Sequence, residues 1–102
     1  MKNLCIQLHP ELNEAASKEE ALQALNGVGC KTEVRECNDN GQYINFILKS
    51  DNLKELWLKI KSLYLTKPNL ASASIITCEG SEGWNNYMLL HHFDKSEELN
   101  EL

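Results

Sequence analysis

The sequence predicts an α+β fold, a ferredoxin-like βαββαβ two-layer sandwich with an extra fifth strand and a short C-terminal helical turn. Three observations predict it. Apolar residues recur with period two in several short runs, they recur at helical spacing in two others, and the two kinds of run follow one another in the order β-α-β-β-α-β. In such an arrangement two right-handed crossovers place both helices on one face of the sheet. The 102 residues suit a single α+β domain over 1–102 with a modest core.

The first strand is read from Leu4, Ile6 and Leu8, which alternate with Cys5, Gln7 and His9 until Pro10 ends the run. A polar connection covers 11–16. Ser17-Lys18-Glu19-Glu20 is then a capping box, in which the Ser17 hydroxyl accepts from the Glu20 amide and the Glu20 carboxylate reaches back. Ala21, Leu22 and Leu25 share one face of the first helix, and Gly27 suits a left-handed stop. Residues 30–37 alternate again, with Thr32 and Val34 favouring extended backbone. Asn38 to Gly41 tolerates positive φ and marks a turn. Residues 42–49 return as a strand with Ile44, Phe46 and Leu48 on one side, completing a hairpin.

Ser50 and Asp51 offer caps for the second helix. There Leu53, Leu56, Trp57, Ile60, Leu63 and Tyr64 form one amphipathic stripe, and Pro68 bars continuation. Residues 72–78 form another strand, and Glu79 to Gly83 form a glycine-containing loop. Residues 87–93 read as a fifth strand or as a short helix, because their apolar residues run together. Asp94-Lys95-Ser96-Glu97 caps the last helical turn.

Composition excludes several classes. At 42% hydrophobic and 25% charged the chain has the balance of a folded domain rather than a disordered or collagen-like one. No apolar run reaches the length of a membrane span. The opening MKNLCIQLHP has a faint signal-peptide character, but Gln7, His9 and Pro10 interrupt it, so the expected location is cytoplasmic. A net charge of −5 lacks the basic footprint that nucleic-acid binding needs. Cys5, Cys30, Cys37 and Cys78 contain no C-x-x-C pair, which excludes zinc-ribbon and thioredoxin-like signatures and leaves them as thiols.

The segment from Cys78 to Asp94 is the richest in chemistry. Trp84, Asn86 and Tyr87 can form a stacking and hydrogen-bonding rim for a ligand, with His91, His92 and Cys78 nearby. A Cys78–histidine pair would lower the thiol pKa, and His9, Cys78 and a late histidine together would suit zinc. Adjacent histidines on a strand point to opposite faces, however, and no H-x-H or H-x-x-x-H spacing is present. No cofactor and no metal are therefore expected. Ser81 lacks the G-x-S-x-G setting of a nucleophile elbow. The glycine loop carries Glu79 and Glu82, which would repel a phosphate.

Two features point to association instead. Leu58 and Leu65 fall together on a second side of the long helix, and Tyr43 and Ile47 put apolar groups on the sheet face opposite Phe46. The expectation is a non-catalytic interaction or regulatory module, a homodimer or a binder of a protein partner, acting through its sheet. The alternative is a small-ligand-binding domain or small enzyme with its site around residues 78–94.

Overall fold

A computed structural model describes residues 1–37 and 43–102. The expected turn over Asn38 to Gly41 lies outside the described residues. The elements are β1 (Lys2–Leu8), α1 (Lys18–Asn26), β2 (Thr32–Cys37), β3 (Tyr43–Ser50), α2 (Leu53–Leu63), α3 (Pro68–Ala71), β4 (Ser74–Gly80) and β5 (Gly83–His91), with one 3-10 turn at Pro10–Leu12. The five strands form one antiparallel sheet in the order β2-β3-β1-β4-β5. β1 and β2 therefore run parallel with β3 between them, and β3 and β4 run parallel with β1 between them.

Period-two alternation sorts the side chains onto two faces. Leu4, Ile6, Leu8, Phe46, Leu48, Ile76 and Cys78 are fully buried on the inner face, where they pack with Ala21 and Leu25 of α1 and with Leu56, Trp57 and Ile60 of α2. Each aliphatic side chain so buried contributes about 1.5–3 kcal/mol relative to exposure. The outer face holds Asn3, Cys5, Gln7, Tyr43, Asn45, Ile47, Ile75 and Thr77, all of them half-buried.

The helix ends differ in detail from their sequence expectations. Ser17 caps α1 by accepting from the Glu20 N–H at 3.1 Å. Gly27 does not turn left-handed: its φ is −73°, and the positive φ of +83° falls on Gly29. The reason is Val28, which is buried, so the chain must stay right-handed until Val28 has reached the core. Asn52, not Ser50 or Asp51, caps α2, accepting from the Glu55 N–H at 3.1 Å. Ser50 is held in β3 opposite Lys2, and its hydroxyl instead accepts from the Asn52 N–H at 3.0 Å. Pro68 does more than bar α2: it occupies the first turn of α3, where its missing N–H costs nothing.

At the end of the sheet the expected fifth strand is present, while the loop before it and the last turn depart from expectation. β4 extends to Gly80, so the expected loop contracts to a tight turn at Ser81 and Glu82, and β5 runs from Gly83 to His91 as a strand. Opposite β4 it accommodates extra residues, since Cys78 pairs with Met88 while Gly80 pairs with Gly83. Residues 94–97 form a hydrogen-bonded turn rather than a helix, closed by Glu97 N–H to Asp94 O at 3.2 Å.

Candidate functional site

The candidate residues do not converge on one point. β5 carries Trp84 to the start of β1 and His91 and His92 to the far end, so the proposed rim and the proposed histidines are separated by the length of the strand. Three groupings result.

The first is a groove on the outer face. Trp84, 45% exposed, lines a groove of about 300 Å³ together with Asn3 and Cys5 of β1, Ile47 and Lys49 of β3 and Glu33 of β2. A second groove of about 770 Å³ shares Glu33, Ile47 and Lys49 and extends to Cys30, Lys31 and Met1. Glu33 and Arg35, two apart on β2, lie on one side of the strand, and one Glu33 oxygen accepts from Arg35 Nε at 3.0 Å and Nη2 at 2.9 Å. Both are exposed, so the pair orients side chains more than it stabilises the fold. The wall by Trp84 is fixed by Glu79, whose carboxylate accepts from the Asn3 backbone N–H and from Asn3 Nδ2. Lys2 Nζ adds a bond to the Gly80 carbonyl at 3.0 Å. Asn3 Oδ1 and Asn45 Oδ1, both on this face, are buried and have no hydrogen-bond partner among the described residues.

The second is an aromatic cluster at the opposite end. His9 stacks against Tyr43 and Phe93, each at a centroid distance of 5.8 Å, and Phe93 meets His92 at 4.5 Å. His9 Nε2 lies 2.8 Å from Gln7 Oε1, and its Nδ1 lies 3.7 Å from Glu11. His91 turns the other way and bonds the Ala71 carbonyl at 2.8 Å, so the adjacent histidines do point apart. His92 Nδ1 accepts from the Asp94 N–H at 2.9 Å. Asp94 in turn accepts from the Ser96 N–H and hydroxyl, which hold its carboxyl below the usual range.

The third is Cys78 alone. It is fully buried on the inner face, and burial pushes its thiol pKa up. Cys78 faces Met88 across the hairpin, His91 is bonded to the Ala71 carbonyl and His9 belongs to the outer face, so neither a Cys–His pair nor the His9–Cys78 metal site forms. No group of three His, Cys, Asp or Glu side chains with metal-binding geometry occurs among the described residues. Cys5, Cys30 and Cys78 are not disulfide-bonded.

The expected helix pair also separates. Leu58 is 53% exposed, but Leu65 lies beyond the end of α2 and packs against the core. Asn86 is not a free rim group: its Oδ1 accepts from the Glu82 N–H at 2.8 Å and its Nδ2 donates to Ser81 at 2.8 Å, bracing the turn. Tyr87 is 58% exposed. Sequence reasoning missed Asn3, Glu79 and Lys49. Only their shared outer-face parity could have indicated them, and that parity becomes informative only once the strand order is known.

Comparison with family models, with curated proteins and with solved structures finds no match to this chain. No helix of the described residues is long and apolar enough to cross a membrane.

Proposed function

We propose that this protein is a non-catalytic, cytoplasmic interaction module that associates with a second copy or a protein partner through the outer face of its sheet. The observation carrying this reading is the chemistry of that face. The helices pack on the inner side, yet the outer side keeps Ile47 and the exposed Trp84 around a groove, and Ile75 and Tyr43 elsewhere on the same face. Open antiparallel sheet faces are ordinarily polar, and contiguous apolar groups on them mark contact surfaces. Within this reading β1 to β4 with α1 and α2 form a ferredoxin-like sandwich, supported by the 2-3-1-4 order of those strands, and β5 is an appended strand.

Sedimentation of wild type and Ile47→Lys tests the reading. Wild type is expected to associate with rising concentration and Ile47→Lys to remain monomeric, since a lysine there meets Glu33 across the strands and wets the centre of the face. A wild-type monomer at high concentration, with no partner recovered that Ile47→Lys releases, overturns it.

A second reading, a small-ligand site, is favoured by Trp84 alone, because it is accessible and lines a groove. It predicts that small aromatic or amphipathic compounds shift Trp84 emission with saturation while the chain stays monomeric.

A further inference from the structure

β5 is an outer strand of the sheet, and its sequence GWNNYMLLH contains no Lys, Arg, Asp, Glu or Pro. The opposite outer strand, β2, carries Glu33, Arg35 and Glu36. Outer strands present unpaired N–H and C=O groups and are normally guarded by charge, proline, a bulge or a covering segment. On β5 a covering segment supplies part of that guard. The Asn100 N–H donates to the Leu89 carbonyl at 2.7 Å, and Asn100 Oδ1 accepts from the Leu89 N–H at 2.9 Å. One residue thus offers Leu89 a donor and an acceptor, the same pair that a facing residue offers in a hydrogen-bonded antiparallel ladder.

We propose that the β5 edge is a strand-addition surface for a second copy of this chain, pairing β5 to β5 about a two-fold axis at Leu89, and that Asn100 holds this surface closed. The donor and acceptor of Asn100 stand where a facing antiparallel strand would put its own, and β5 of a second copy can supply them. A two-fold-related Leu89 presents one N–H and one C=O to the same two atoms, so the contact is self-complementary and closes as a dimer. β5 brings no like charges to the seam. The covering segment does: Asp94, Glu97, Glu98 and Glu101 stand against Lys95, and while Asn100 is docked these exposed carboxylates on two copies oppose approach. Register shifts opposite Glu79 and at Leu90 bend β5 on either side of Leu89, which confines regular pairing to the residues next to it. This surface is distinct from the outer face, and the proposal stands independently of association there.

The test uses the full chain in the Ile47→Lys background, which removes assembly through the outer face. Asn100→Pro deletes both the N–H and the side-chain acceptor. Hydrogen exchange at the Leu89 amide reports the contact, and sedimentation reports assembly. In Asn100→Pro the dimer association constant is expected to rise by on the order of tenfold or more, because two docked bonds no longer compete. Adding Tyr87→Lys, which puts a charge on the exposed edge, returns the chain to monomer. Asn100→Ala, which keeps the N–H, gives a smaller rise and a faster Leu89 exchange, and it replaces Asn100→Pro if circular dichroism shows the proline variant unfolded. Faster exchange at Leu89 without a dimer overturns the proposal, as does a dimer that Tyr87→Lys leaves intact. Unchanged exchange at Leu89 in both variants, measured at dilutions where sedimentation finds them monomeric, overturns the role of Asn100.

Discussion

Tyr64 donates its phenolic hydrogen to Ser74 Oγ across 2.8 Å, and Ser74 donates in turn to the Leu70 carbonyl across 2.6 Å. The direction follows from counting hydrogens. Serine has one, Leu70 O has none to give, and the tyrosine hydroxyl must therefore be the donor to Ser74. The chain of bonds ties the end of α2 to the start of β4 through α3, inside a core in which Ser74 and Tyr64 are both fully buried.

Removing that hydroxyl gives a two-part prediction. Burial pushes the Tyr64 pKa well above its ordinary value of 10, with the Ser74 bond a smaller opposing influence. The folded state therefore holds its proton when the unfolded state has lost it. A raised folded pKa means stability is fully present below about pH 10 and falls as pH rises above it, by up to about 1.4 kcal/mol per pH unit for one group. At neutral pH Tyr64→Phe is expected to cost about 0.5–1.5 kcal/mol, because Ser74 keeps its own acceptor in Leu70. Above pH 10 the wild type alone carries the extra proton linkage, so the gap closes. Urea unfolding of both chains at pH 7 and pH 11 measures it, and parallel curves at both values would refute the linkage.

Gly80 is expected to tolerate no side chain. A Cβ there would lie 2.1 Å from the Asn86 backbone oxygen and 2.7 Å from Asn86 Oδ1. The first atom belongs to the displaced backbone of β5 and cannot rotate away. Gly80→Ala should thus cost on the order of 3 kcal/mol or shift the β4–β5 pairing, against about 1 kcal/mol for Gly83→Ala, which suffers only its positive φ of +70°. Thermal melts rank the two, and equal losses would mean that the hairpin yields at Gly80.

What could be read from the sequence and what could not follows from how far each signal reaches. β1, β3 and α2 are legible because many residues vote for one period, and a single exception cannot overturn them. The boundaries are not legible. Ser50, Asp51 and Asn52 can all cap a helix, and the choice falls to Asn52 because β3 extends to Ser50, paired with Lys2 on β1. Gly27 and Gly29 can both take positive φ, and the burial of Val28 between them decides. Pro68 signals an end and a beginning alike, and the sequence alone shows only the end. For the candidate site, Trp84 and Ile47 were visible as apolar residues out of place, but their meeting depends on β5 joining the sheet beside β4. The Asn100–Leu89 pair has no sequence signal at all, since an asparagine in an acidic, polar stretch reads as solvated chain.

The helix caps should behave as independent units. Ser17→Ala and Asn52→Ala each remove one acceptor from one helix N-terminus, at 3.1 Å in both cases. Each should cost about 1 kcal/mol, and the double variant should cost their sum to within about 0.5 kcal/mol, because each cap bond lies within its own helix. Chemical denaturation of the four chains closes the cycle. A coupling larger than about 1 kcal/mol would show that α1 and α2 order together.

The two tryptophans give the most direct reading of the outer face. Trp57 is 8% exposed in the core under α2, with Lys61 Nζ 5.7 Å from its ring, while Trp84 is 45% exposed in the groove it lines with Asn3 and Cys5. In Trp57→Phe only Trp84 emits, and acrylamide should quench it readily in the dilute chain. In Trp84→Phe only Trp57 emits, and quenching should be several-fold weaker, since burial excludes the quencher. Concentrating the first variant should then protect Trp84 if copies meet face to face, because the indole stands at the edge of the groove that Ile47 centres. Protection that Ile47→Lys abolishes would localise the contact to the outer face. Quenching that stays constant while the chain associates would move the contact elsewhere, to the β5 edge.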